Sequence, residues 1–129
     1  MFVEKINKSD TSSEQSTEKA KGWISSCTKK HRRCGTGGPA PLPKRVIDLV
    51  RHAPDVVLVE NENTPDRYLA LSHCWGKDKV IVTNGKDLER HKERISFDSL
   101  PRTFQDAVIF GRKLSIRYLW IDSLCIIQE

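Results

Sequence analysis

Tyr118-Leu119-Trp120-Ile121-Asp122, read together with Tyr68-Leu69-Ala70-Leu71-Ser72 and the helical run between them, decides the fold. Both short segments are apolar at successive positions rather than at alternate ones, as expected of strands covered on both faces, and the earlier one reads as a central strand of a parallel sheet. Between them Phe104, Ala107, Val108, Gly111 and Leu114 recur at the spacing of one helical face. Thr103-x-x-Asp106 resembles a capping box at the start of that helix, with Asp in place of the longer Glu or Gln. Strand, helix and strand in this order form a βαβ unit with a right-handed crossover, so the class is α/β with a parallel sheet.

Working outward, residues 85–95 read as a short polar helix, and 61–66 as a turn. Val46-Ile47-Asp48-Leu49-Val50 and Val56-Val57-Leu58-Val59-Glu60 are β-branched runs separated by His52-Ala53-Pro54-Asp55, which suggests a hairpin-like pair. Gly35-Thr36-Gly37-Gly38-Pro39-Ala40-Pro41 reads as a linker. Before it, Trp23, Cys27, His31 and Cys34 lie at i, i+4, i+8 and i+11, one stripe of a helix over 17–34. Residues 1–16 carry few large apolar groups and are expected to be disordered. The organisation is thus a lead (1–16), a helix with linker (17–41) and an α/β domain (42–129).

The 129 residues leave room for one domain; 37% hydrophobic and 30% charged residues fit a soluble protein with a modest core. No apolar run nears the ~18 residues of a membrane span, and no signal peptide opens the chain, so the expected location is the cytoplasm, without membrane partners. There the four cysteines stay thiols. The formal charge is +5, with a basic cluster at Lys29-Lys30-His31-Arg32-Arg33. No aromatics interleave with it, which argues against nucleic acid as a partner and leaves a solvated charged stretch.

Ligands of open parallel sheets bind beyond the carboxyl ends of the strands. Two strands here end in Ser72-His73-Cys74-Trp75-Gly76 and Asp122-Ser123-Leu124-Cys125. A carboxylate after four apolar residues needs a partner if buried, and His73 is the nearest one by strand order. Ser72 or Cys125 with His73 and Asp122 would be a nucleophile, base and orienting acid. The competing reading gives Asp122 and Ser72 structural work at strand ends. Cys27, His31 and Cys34 are thiolate and imidazole groups on one helical face, but three ligands on one helix with no fourth make a poor zinc site, so no metal is expected. No phosphate loop, GxGxxG or HExxH is present, and no cofactor is expected.

Tyr68-Leu69-Ala70-Leu71-Ser72-His73-Cys74-Trp75-Gly76 resembles the opening motif of the fungal heterokaryon-incompatibility (HET) domain. Leu100-Pro101-Arg102-Thr103-Phe104-Gln105-Asp106-Ala107 is similar to that family's second motif, and Arg117 to Gln128 to its third. The resemblance implies an effector module of non-self recognition that signals programmed cell death, acting through homotypic contacts or other incompatibility proteins. A remote likeness to TIR domains, some of which cleave NAD, supplies the enzymatic alternative. Ser72, Trp75, Asp122 and Gln128 lie in the motifs where a shared site would sit. Family members continue past the third motif, so the expectation is a truncated domain that folds marginally or with a partner; a nonfunctional remnant is the remaining alternative.

Overall fold

The computed structural model describes residues 13–31, 33, 35, 38–74 and 80–128. The chain divides into two units, residues 1–36 and 37–129. The first contains helix α1 (Glu14–Lys30), capped by Ser13, whose hydroxyl accepts from the Ser16 amide at 3.2 Å. Glu14 in its first turn and Lys29 and Lys30 in its last complement the helix dipole. The helix therefore begins inside the stretch expected to be disordered, because a serine N-cap is a start signal that outweighs the polar composition around it. It also ends before His31, which is extended and donates its amide hydrogen to the Cys27 carbonyl. Trp23 is 68% exposed, whereas Cys27 one turn further on is half-buried.

The second unit runs β1 (Ala40–Pro41), β2 (Arg45–Asp48), β3 (Val57–Glu60), β4 (Pro65–Asp66), β5 (Tyr68–Leu71), α2 (Leu88–Glu93), a 3-10 turn (Phe97–Ser99), α3 (Arg102–Lys113), β6 (Tyr118–Ile121) and α4 (Asp122–Cys125). β2 and β3 form the expected antiparallel pair, Ile47 opposite Leu58. β5 and β6 are parallel and in register, Leu69 opposite Leu119 and Leu71 opposite Ile121. The four-stranded sheet has the order β3-β2-β6-β5.

Three expectations need correction. The sheet is mixed rather than parallel, because β2 pairs antiparallel with β6. β6 is central, but β5 lies at an edge among the described residues, and its side chains alternate between exposed and half-buried. Pro65–Asp66, expected as turn, pairs with Ala40–Pro41, expected as linker, in a separate two-stranded sheet. In addition, α3 opens at Arg102 behind Pro101, with no side-chain cap, so Thr103 lies inside the helix and the capping box is not formed. Pro101 supplies the break instead: its ring blocks helix continuation upstream.

One face of the sheet carries the core. Ile47 and Leu49 pack with Leu58, Leu119 and Ile121, beneath Phe104 and Val108 of α3 and Leu124 and Cys125 of α4. Each such side chain stabilises by roughly 1.5–3 kcal/mol through removal of apolar area from water. The apolar face of α3 read from its spacing is the face that is buried. Gly111 lets that helix approach the sheet: a Cβ there would lie 2.7 Å from Leu49 Cδ1. No helix among the described residues is long and apolar enough to cross a membrane.

Candidate functional site

The parallel pairing of β5 and β6 carries both chains out of the sheet at the same edge. His73 follows β5 and Asp122 opens α4 directly after β6, and their side chains meet there: His73 Nε2 lies 3.7 Å from Asp122 Oδ1. That is longer than a hydrogen bond and makes an ion pair only when the imidazole is protonated. Asp122 Oδ1 also accepts from the Ser123 amide at 2.8 Å. The His73 ring is set edge-on against Phe104, with centroids 5.0 Å apart and planes at 85°. Its side chain is 9% exposed, yet neither ring nitrogen has a hydrogen-bond partner.

Two more orphaned polar atoms gather at this end of the sheet. Ser123 is fully buried and its Oγ has no partner. The antiparallel course of β2 brings its first residue, Arg45, to the end where β6 finishes, and its buried Nε is likewise without a partner. The Arg45 guanidinium reaches Glu60 Oε2 through Nη2 at 3.5 Å, and Glu60 Oε1 binds Lys92 Nζ at 2.7 Å. Lys92 holds the Glu60 carboxyl below the usual range. A buried polar group left unpaired costs about 1–3 kcal/mol, so orphans concentrated at one edge need a reason beyond folding.

A second layer supports this edge. The Thr83 amide donates to Ser123 O at 2.9 Å, and the Gln128 amide donates to Thr83 O at 2.7 Å. Gln128 Nε2 donates to Ile126 O at 2.9 Å and Asp122 O at 3.4 Å, so this residue closes the loop after α4. Thr83 Oγ1 lies 2.8 Å from His91 Nδ1, both residues being buried. Burial lowers the His91 pKa, and the nearby Arg90 adds to this while Asp87 opposes it. The unfolded chain then binds the proton more readily than the folded one. Stability is expected to be full above the ordinary histidine range and to fall as pH drops below about 6.5. Urea denaturation of wild type and His91→Gln across that interval checks this; the variant should lose much of the slope.

The other candidates fall into place separately. Ser72 and Cys74 are exposed, while Cys125 is buried with its sulfur 3.4 Å from the Ile121 amide that donates to it. Burial pushes the Cys125 thiol up to about 12, which removes it as a thiolate nucleophile near neutral pH. Alkylation with iodoacetamide in the folded state should label Cys74 and spare Cys125, as read by mass spectrometry. Trp75 and Cys34 lie outside the described residues. The Cys27–His31–Cys34 trio thus falls partly outside the described residues, among which no group of three or more His, Cys, Asp or Glu residues is placed to hold a metal ion. Arg45, Thr83 and His91 join the edge without having been marked by sequence. Only the antiparallel placement of β2 and the return of 80–84 against α4 bring them in.

The molecule is thus a small mixed α/β domain with a buried polar cluster beyond the carboxyl ends of its parallel strands. Residues 68–129, which build β5, α3, β6 and most of that cluster, match the family described as Heterokaryon incompatibility protein (HET). The match falls on the residues that carry the three motifs, and it suggests a function related to heterokaryon incompatibility. No curated protein and no solved structure matches the chain.

Proposed function

We propose that the chain is an effector module of fungal heterokaryon incompatibility, acting in the cytoplasm through protein contacts, homotypic or with other incompatibility proteins, to signal cell death. The observation that carries this reading is the coincidence of the HET-family segment with the His73–Asp122 edge. A buried imidazole with unpartnered nitrogens beside a carboxylate that is 34% exposed is costly for a domain that only needs to fold. The module's output therefore depends on that edge. Expression in a filamentous fungus tests it: wild type should arrest growth and kill, and Asp122→Asn, made to the same level, should not. Killing that survives in Asp122→Asn and His73→Gln alike would remove this edge from the function.

A second reading, cleavage of a nucleotide such as NAD by a TIR-like arrangement, is favoured by one feature. Ser123 Oγ, Arg45 Nε and the His73 nitrogens are buried polar atoms without hydrogen-bond partners, placed where α/β sheets bind ligands. NAD consumption by the purified chain separates the two. Consumption lost in Asp122→Ala would establish the enzyme; its absence alongside retained killing would leave the signalling module.

A further inference from the structure

The first unit carries most of the charge imbalance of the chain. Residues 1–36 hold eight Lys or Arg against four Asp or Glu, which is four of the chain's five net positive charges. In α1 the charges are sorted by face. The helical period puts Ala20, Trp23 and Cys27 on one stripe with Ile24 beside it. Lys21 borders that stripe on one side, Lys19 and Lys30 on the other. Glu14 and Glu18, the two carboxylates of the helix, fall on the reverse.

Trp23 is 68% and Ile24 38% exposed, so the stripe presents an indole and a branched aliphatic side chain to solvent. Lys21 is paired with Glu18 at 3.4 Å and Lys19 is engaged within the protein, so neither is available to a partner. Lys29, Lys30 and Arg33 are different: all three are exposed, and none has an ion-pair partner among the described residues. Lys30 stands two turns beyond Trp23 on the same side of the helix. Available cations therefore follow directly on an open apolar stripe, with the helix carboxylates turned away from it.

Two exposed apolar side chains are too few to hold a helix on a neutral bilayer, so charge has to contribute. A bilayer surface with anionic headgroups offers both attractions together, an apolar boundary and a negative potential. Indole suits that boundary, having an apolar ring and a polar N–H. We propose that α1 lies along a membrane surface containing anionic lipid. Trp23 and Ile24 enter the headgroup boundary, and Lys29, Lys30 and Arg33 supply the attraction to the headgroups. The attachment is peripheral and does not depend on the His73–Asp122 edge.

Co-sedimentation of the full chain with large vesicles tests it. Vesicles of phosphatidylcholine with about 30% phosphatidylserine should bind roughly tenfold more tightly than phosphatidylcholine alone. That binding should weaken several-fold between about 0.1 M and 0.5 M salt. Trp23→Ala, and separately the combined Lys29→Gln, Lys30→Gln and Arg33→Gln, alter exposed side chains. Each variant should weaken binding at least fivefold while the circular dichroism spectrum and melting temperature stay unchanged. Vesicles brominated on the acyl chains should quench part of the tryptophan fluorescence, and that part should be missing in Trp23→Ala. Equal binding to the two vesicle types, or unchanged binding in either variant, would overturn the proposal. So would a single-stranded oligonucleotide bound more tightly than the anionic vesicles, since the helix would then serve a nucleic acid.

Discussion

Replacing Phe104 by alanine should lower the unfolding free energy by about 3–5 kcal/mol, the range for an aromatic removed from a closed core. Phe104 is 2% exposed and packs from α3 against the sheet residues Ile47, Leu119 and Ile121. The lost transfer free energy and the cavity left behind both contribute, because the surrounding side chains belong to different elements and cannot all close in. The substitution also removes the ring against which His73 is set edge-on. Two effects are therefore expected from one change: a lower urea midpoint, and a His73 imidazole with altered NMR shifts in the remaining folded fraction. Phe104→Leu, which keeps most of the volume, should lose far less stability but still disturb the His73 signal. A loss under about 1 kcal/mol in Phe104→Ala would mean that the core is not closed around this ring.

Arg117→Ala should be the other large loss, about 3–5 kcal/mol near neutral pH. The pair it breaks is lopsided: the Asp48 side chain is 3% exposed and the Arg117 side chain 47%. Removing the arginine strands a buried carboxylate, whereas removing the aspartate leaves a guanidinium that water can reach. In the intact protein burial raises the Asp48 pKa, but the Arg117 bonds and the Val50 and Arg51 amides outweigh it and hold the carboxyl below its ordinary value. Stability from this group is accordingly present above the ordinary aspartate range and lost as pH falls through the lowered value. In Arg117→Ala the burial effect loses its main opponent, and the Asp48 pKa rises. The deficit relative to wild type should then be largest near neutral pH and shrink as pH approaches about 4, where the stranded carboxyl takes up a proton. Denaturation curves for both proteins at the two pH values decide it; a deficit independent of pH would mean that Arg117 acts by packing on Tyr118 rather than by charge. Asp48→Ala should cost less, about 2–3 kcal/mol, chiefly by orphaning the Val50 and Arg51 amides.

Much of the architecture was legible in local pattern. The helical spacing of Phe104, Val108 and Gly111 is the buried face of α3, and the β-branched runs are β2 and β3, because side-chain periodicity reports which face is dry. The strand ends were legible too, since an Asp after an apolar strand and a Ser-His pair after another are costly residues in costly places. What was misread shares one cause. Tyr68–Leu71 is as apolar as a central strand but lies at the edge among the described residues, and Pro65–Asp66 looks like turn but pairs, because strand order and partner choice depend on residues far away in the chain.

The sequence by itself determined the α/β class, the parallel strand–helix–strand unit and the motifs by which residues 68–129 resemble the HET family. It also placed His73 and Asp122 at the ends of those two strands. The tertiary structure alone decided that β2 inserts antiparallel beside β6, which carries Arg45 to the site edge. It alone turned Asp48 into the buried partner of Arg117, 69 residues away. Local pattern encodes what each segment must hide from water, but not which segment hides it. That choice is made by packing among distant elements, and the orphaned groups around Ser123 exist only after it is made.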